Sequence, residues 1–381
     1  MPSPPIAIDE AELLATMRTA LGDPGARLGE WRVARVFIPV RAGFNGGVFR
    51  VEVNAPPAGV SPPWSCLVKV MAPVGDNPDY DHPTGAAYWR READAYASGC
   101  LAGLPGGVRA PACYGVHVAD RAARIWLEEV VDEYGQQWPL PRFELAARHL
   151  GQFNGAYLCG VPLPRFPSLQ KVPLATYMAR TPEKLAEIER VEAADDPLWR
   201  SLFPSPITPR LRALRANTAR LVQALDRLPQ TLCHYDYAEH NLFSPAGIGQ
   251  GETIAIDWES IGVAGVGQDA AVLGILPFLK AMIAPDRAPQ LVEAVFEAYL
   301  AGLHDAGWTG DRGLVRLGFV ADAALRWGFN APPAAPIVNP AIARRDEGRT
   351  GQPFEHLAVG RAAVSRVLLD MADEAVRLLD R

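Results

Sequence analysis

The run Cys233-His234-Tyr235-Asp236-Tyr237-Ala238-Glu239-His240-Asn241-Leu242-Phe243 sets a carboxylate and an amide five residues apart, and a second carboxylate, Asp257, follows sixteen residues after Asn241 at the end of Ile254-Ala255-Ile256. Transfer of a phosphoryl group asks for such a set. Asp236 can orient a hydroxyl nucleophile and accept its proton, while Asn241 and Asp257 supply hard oxygen ligands to Mg2+ beside the phosphates of a nucleotide. His234 reads as a hydrogen-bonding support of this loop rather than a substrate contact.

The same residues admit a second reading, a hydrolytic metal site built on His234, Asp236 and His240. The sequence offers no further ligand at helical or hairpin spacing, which disfavours it.

A phosphate site also needs a cation and inward-pointing amides. Lys69 is one of four lysines among 37 basic residues and stands in the apolar run Cys66-Leu67-Val68-Lys69-Val70-Met71. An ammonium in such a strand needs a counter-charge, and Glu92, 23 residues later on the helix expected there, supplies it. In Gly43-Phe44-Asn45-Gly46-Gly47-Val48-Phe49, between the first two expected strands, the amides of Gly46 and Gly47 can fold over phosphates, although glycines between strands also make ordinary hairpin turns.

These groups must be carried by elements that the apolar periodicity outlines. A helix is expected over 9–21 with Asp9 as its cap, then strands over 31–40, 47–53 and 64–71. Asn54–Pro63 and Pro73–Gly85 are too rich in Pro, Gly, Asp and Asn for regular structure. A helix over 86–101 and strands near 110–118 and 123–130 complete an antiparallel sheet with a single covering helix. After about residue 135 the pattern turns helical: 141–158, a leucine stripe from Ile207 to Leu228 and another from Phe354 to Leu378. Short strands are expected near 231–233, 241–244 and 253–257. The result is an α+β chain with a sheet-rich lobe, 1–132, a connector near 130–137 and a helical lobe, 133–381.

Composition narrows the partners. At 381 residues two packed lobes are the natural expectation. A net charge of −6 and a pI near 5.7 argue against nucleic acid, whose phosphates call for clustered Lys and Arg. The five cysteines are widely spaced without a CxxC pair and read as buried free thiols. Met1–Leu14 carries Asp9, Glu10 and Glu12 and does not read as a signal peptide, and Ala270–Leu279, broken by Pro277, is short of the about 20 residues a membrane span needs. A cytoplasmic monomer or homodimer without membrane contact is expected.

His234-x-Asp236-x4-Asn241-Leu242 and Ile256-Asp257-Trp258, with Asp269-Ala270-Ala271 downstream, resemble the signature of the aminoglycoside phosphotransferase superfamily, which also contains choline, homoserine and methylthioribose kinases. The resemblance is specific over 232–271 and looser elsewhere. It implies a bilobal protein-kinase-like fold, ATP or in some members GTP as donor, Mg2+, and a small-molecule hydroxyl as acceptor. It further implies that Lys69 contacts the α and β phosphates, that Leu127-Glu128-Glu129-Val130 is a hinge whose backbone at Glu128 and Val130 bonds the adenine edge, and that Asp269 buttresses the catalytic loop. The family commonly has a glycine between the histidine and the aspartate of that loop; here Tyr235 stands there with Tyr237 just after, and both rings crowd it.

Eleven residues separate Asp257 from Asp269 and no Ala-Pro-Glu follows, too little for the platform on which protein kinases hold peptides. The resemblance implies an acceptor site in the helical lobe, from Glu239, His240, Glu259 and the stretch around Asp305, Asp311, Trp327 and Asn330. A polycationic aminoglycoside calls for a concentrated acidic pocket, yet residues 134–381 hold 27 acids and 25 bases. The expectation is an ATP- and Mg2+-dependent O-phosphotransferase acting on a small molecule, an antibiotic first, in resistance or self-protection. A metabolic kinase of a sugar, nucleoside or amino alcohol is the alternative, and a nucleotide-binding regulatory module without turnover stands behind both.

Overall fold

The structure, a computed structural model, describes residues 6–37, 44–54, 63–73, 75–76, 78–132, 135, 138–171, 174–244, 251–281 and 283–380. The expected strand end at 38–40, Gly43, most of the 54–63 loop, and residues 133–134 and 136–137 of the connector lie outside them.

The first helix, α1 (Glu10–Leu21), starts where the Asp9 carboxylate accepts the amides of Ala11 and Glu12, and stops at Gly22 in the left-handed region. Five strands follow, β1 (Trp31–Phe37), β2 (Phe44–Val53), β3 (Trp64–Pro73), then β5 (Cys113–Ala119) and β6 (Ala122–Leu127), with helix α2 (Arg91–Ala97) and the short β4 (Val108–Arg109) between β3 and β5. They form one sheet in the order β1-β2-β3-β6-β5, every neighbouring pair antiparallel. Alternation along β3 sends Cys66 and Val68 to a core shared with Leu13 and Met17 of α1, and Met71 to a second core with Ala93 and Tyr96 of α2. The sheet is thus covered by two helices rather than one, because α1 folds back under it. Lys69 shares the α2 face.

Helix α2 is also shorter than the expected 86–101. Tyr88 and Trp89 bury their rings from turns before it, and Gly99, at φ 76°, lies just beyond its end. Its first residue, Arg91, is fully buried and reaches into the helical region: Nε donates to the carbonyl of Ser168 at 3.0 Å and Nη1 to that of Glu259 at 3.1 Å, while Nη2 donates to the carbonyls of Pro83 and Gly85 before the helix.

The helical region comprises α3 (Leu140–Leu158), α4 (Leu174–Met178), α5 (Thr181–Ala193), α6 (Pro197–Leu202), α7 (Thr208–Arg227), α8 (Gln268–Leu279), α9 (Ala288–Asp305), α10 (Arg312–Trp327), α11 (Ala334–Val338), α12 (Pro340–Thr350) and α13 (Phe354–Leu379). Helices α3 and α9 cross at Gly151 and Gly302; a Cβ on Gly302 would sit 2.0 Å from the Arg148 carbonyl oxygen, so only glycine permits the approach. The stripe on α7 buries Leu211, Leu214, Leu221 and Leu225. Among these helices lie β7 (Gln170–Lys171), β8 (Gln230–Cys233), β9 (Leu242–Phe243), β10 (Thr253–Ala255) and β11 (Gly262–Gly265). They make two small sheets, β4-β10-β9 and β7-β11-β8, the first of which ties the segment before β5 to the strand that precedes Asp257.

Among the described residues no helix is long and apolar enough to cross a membrane. The cysteines are free, but burial holds only for Cys66 and Cys233; Cys100 and Cys113 are half-buried and Cys159 is exposed.

Candidate active site

Strand β8 delivers the chain into the loop 234–241, and β9 takes it out again. Two residues here have left-handed backbones, Tyr235 at φ 61° and Asp257 at φ 64°, so the chain turns sharply at both. Asp269, in the first turn of α8, holds the loop from behind: its two carboxylate oxygens accept the amides of His234 at 2.8 Å and Tyr235 at 2.7 Å. Burial pushes the Asp269 carboxyl up to about 7 against those two donors.

His234 is used on both sides. The Asp236 amide donates to Nδ1 at 3.2 Å, so the proton sits on Nε2, which donates to the Ile256 carbonyl at 2.9 Å. Burial holds the ring below its ordinary range and keeps it neutral, which suits an accepting Nδ1. With neither nitrogen left for a cation, the hydrolytic reading of His234, Asp236 and His240 fails.

Asn241 closes the loop on itself. Its Nδ2 lies 3.0 Å from both the carbonyl and Oδ2 of Asp236, which directs the amide oxygen away from that aspartate. The Ile256 amide donates to the Asn241 carbonyl at 2.9 Å, so the strand leading to Asp257 is fixed to the same loop.

The third part arrives from the sheet region. Lys69 Nζ stands 2.5 Å from Glu92 Oε2 and 2.5 Å from Asp257 Oδ1, and the other Glu92 oxygen accepts the Trp258 amide at 3.2 Å. Burial opposes the charge on Lys69, but the two carboxylates outweigh it and raise the lysine's pKa. Glu92, only 1% exposed, is raised by that same burial. Lys69, Glu92 and Asp257 are thus one cluster, and Asp236 and Asn241 another, linked through the Ile256–Asn241 bond.

Other expected site residues stand elsewhere. Gly46 and Gly47 do not lie in a loop: they are strand residues of β2, paired with Met71 and Val70. A Cβ on Gly46 would meet the Val70 carbonyl oxygen at 2.0 Å, so close strand pairing, not a turn, requires this glycine. Glu128 follows β6 with its amide bonded to the Ala112 carbonyl at 2.8 Å, and its side chain does more than the sequence reading allowed: Arg109 grips both its oxygens, at 2.6 and 3.0 Å. Val130 is half-buried.

On the acceptor side the Glu239 side chain is 1% exposed, 3.5 Å from His240 Nδ1, and neither of its oxygens has a hydrogen bond among the described residues. His240 stands 3.0 Å from Lys280 Nζ. Glu259 offers its carbonyl to Arg91, and Trp327 lies against the Arg326 guanidinium at 4.6 Å. A cavity of about 480 Å³ is lined by Trp138, Phe143, Glu239, Pro277, Ile283 and Arg287 among others, and by none of Lys69, Glu92, Asp236, Asn241 or Asp257.

Sequence reasoning missed Asp322 and Arg326, both buried behind Tyr235, and Tyr177, whose ring faces the same guanidinium. One signal was present: an acid and a base four apart in the otherwise apolar Gly318–Trp327 stretch of a helix.

Chemically, the arrangement offers an aspartate able to take a proton, two oxygen donors able to hold a hard cation, and an ammonium able to meet negative charge. A model of the phosphotransferase enzyme family (APH) matches residues 109–314. No curated protein matches the sequence significantly. Among solved structures, a microcompartment-associated aminopropanol kinase is similar in fold, with a TM-score of 0.52 at 14% identity over 91% of this chain and 94% of that one. A choline kinase from Cryptosporidium parvum gives 0.48 at 14% identity over 97% and 96%, and an amicoumacin kinase in complex with AMP-PNP and Ca2+ gives 0.48 at 13% over 91% and 95%. The family match spans more than half of the chain and includes Asp236, Asn241, Asp257 and Asp269, and the chain therefore belongs to the phosphotransferase enzyme family.

Proposed function

We propose that this phosphotransferase uses ATP and Mg2+ to phosphorylate a hydroxyl of a small molecule, an antibiotic before other acceptors. The observation that carries the reading is the pair of linked clusters, Asp236 held by Asn241 and Lys69 joined to Asp257. Asp236 orients the acceptor hydroxyl and takes its proton. Lys69, positioned by Glu92, moves from Asp257 onto the α and β phosphates. Asn241 and Asp257 fit a hard divalent cation, since one turns its amide oxygen away from Asp236 and the other is an acid. Among the described residues no three His, Cys, Asp or Glu side chains form a metal site by themselves, so such a cation takes its remaining ligands from phosphate and water. Bound there, Mg2+ neutralises charge on the phosphates.

Residues 1–132 form the nucleotide lobe and 133–381 the acceptor lobe. The carbonyl of Glu128 and the amide of Val130 bond the adenine, an arrangement that admits GTP less readily because the guanine edge reverses donor and acceptor. His234 and Asp269 support the loop, and the acceptor enters near His240, Glu259 and Trp327. A cytoplasmic reaction fits the proposed use of ATP. The fold shared with an aminopropanol kinase supports a second reading, a metabolic kinase of an amino alcohol, nucleoside or sugar.

The test is incubation with γ-labelled ATP, Mg2+ and a panel of antibiotics, nucleosides, sugars and amino alcohols. Label should pass to one compound class, and Asp236→Ala should abolish that transfer while ATP still binds. Label on protein serines alone, or no transfer to any class, overturns the proposal.

A further inference from the structure

Tyr235 immediately precedes Asp236 and holds φ 61°, a conformation in which a side chain's Cβ crowds the following carbonyl and which large residues seldom adopt. Its surroundings must hold it there. The ring is 1% exposed and lies on the Arg326 guanidinium at 4.2 Å, and Tyr177 at 4.4 Å and Trp327 at 4.6 Å also surround that cation, the Tyr177 ring meeting the Tyr235 ring edge-on at 6.2 Å. The Tyr235 hydroxyl donates to Asp322 Oδ1 at 2.8 Å, and Gln268 Nε2 donates to the same oxygen at 3.0 Å.

Arg326 is 5% exposed, with Nη1 3.7 Å from Asp322 Oδ2 and Nη2 3.5 Å from the Tyr235 carbonyl. Its Nε and Nη1 make no hydrogen bond among the described residues. A cation so placed is held by rings and by the charge of Asp322 rather than by a fork of hydrogen bonds. The Tyr235 backbone cannot swing without breaking this stack. Asp236 is thereby fixed on one side by Asn241 and on the other by whatever fixes Tyr235.

We propose that Arg326, acting through the ring of Tyr235, is a positioning residue for Asp236 and sets the rate of phosphoryl transfer without touching substrate. This rests on the catalytic role given to Asp236 above. A weakly hydrated, delocalised guanidinium suits this ring-lined site, whereas an ammonium is a compact, strongly hydrated point charge, so lysine does not replace it.

The test uses the full chain with Arg326→Met, Arg326→Lys and Tyr235→Phe, reading amide hydrogen exchange and ATP turnover. Both Arg326 variants should speed exchange of the 233–238 peptide about 10-fold, leave the 64–71 strand at the wild-type rate, and lower kcat about 10- to 100-fold with the KM for ATP within about 2-fold. Tyr235→Phe, which keeps the stack and loses only the bond to Asp322, should show a smaller effect confined to the same peptide. If neither Arg326 variant folds, Tyr235→Leu, which takes the ring off the guanidinium while leaving Arg326 in place, decides: faster exchange in that peptide supports the proposal and none overturns it. Exchange that rises evenly through the protein, a loop peptide that does not respond, or wild-type rates in Arg326→Lys also overturn it. If the wild type transfers phosphate to nothing, the functional reading fails by itself, and the exchange contrast still decides whether Arg326 holds the loop.

Discussion

Lys69 and Asp257 are 188 residues apart in the chain and 2.5 Å apart in space. The contact joins β3 of the sheet region to the second residue after β10, and Glu92 completes it from α2. Under the proposed function a nucleotide would compete with Asp257 for the lysine, and the aspartate so released would be available to a cation.

Replacing Lys69 by Met leaves two neighbouring carboxylates without their cation. With the lysine side chain 18% exposed, the expected loss of stability is about 2–3 kcal/mol, somewhat less than for a fully buried pair. Turnover should fall about 100-fold or more. Urea denaturation beside initial rates checks both, and a variant as stable as the wild type would show that Lys69 does not compensate these acids.

Asn241→Ala removes the tether on Asp236 together with the amide oxygen proposed as a ligand of the cation. The Mg2+ concentration for half-maximal rate should rise about 10-fold, with a further drop in the rate at saturating Mg2+. A metal titration of turnover reads this directly. An unchanged midpoint would remove Asn241 from the metal site.

Asp269 gives stability a pH dependence. Its carboxyl is raised from 3.8 to about 7 by burial, so between those values the folded protein keeps a proton that the unfolded chain has released. Stability from this group is therefore greatest at low pH and is lost as pH rises through about 7. Asp269→Asn cannot titrate and turns an NH2 toward one of the two amides, costing about 1–3 kcal/mol at acidic pH. Chemical denaturation at about pH 5 and about pH 8 should show the wild type losing its advantage over the variant. Parallel curves would refute the assignment.

Gly46→Ala should destabilise by about 1–3 kcal/mol, since the new methyl group meets the Val70 carbonyl oxygen. Thermal melting tests it, and a neutral result would mean that β2 and β3 can separate there without cost.

Much of the site was legible because its signals are local or exclusive. Asp236 and Asn241 share one loop, Asp257 ends an apolar run, and Lys69 stands out where lysine is scarce. Glu92 followed from the charge that Lys69 needs. The loop placement of Gly46 differs from the structure for the opposite reason: glycines between strands default to a turn, and nothing local reveals that a neighbouring carbonyl presses on one of them. Helix α2 was drawn too long because Tyr88 and Trp89 look helical in spacing, whereas their burial comes from turns. Arg326 and Asp322 escaped notice since their partner, Tyr235, lies 87 residues from Asp322 in the chain and no spacing rule connects them.

Arg91 and Glu92 are consecutive on α2, and both bridge the two regions: Glu92 grips Lys69 of the sheet and accepts the Trp258 amide, while Arg91 is bonded to the carbonyls of Ser168 and Glu259 in the helical region and to those of Pro83 and Gly85 just before the helix. Parting the sheet from the helices would therefore break bonds at both residues, since the other oxygen of Glu92 is taken by the Trp258 amide. This short helix is a rivet between the two regions, and one buried guanidinium ties it to two separate segments of the larger one.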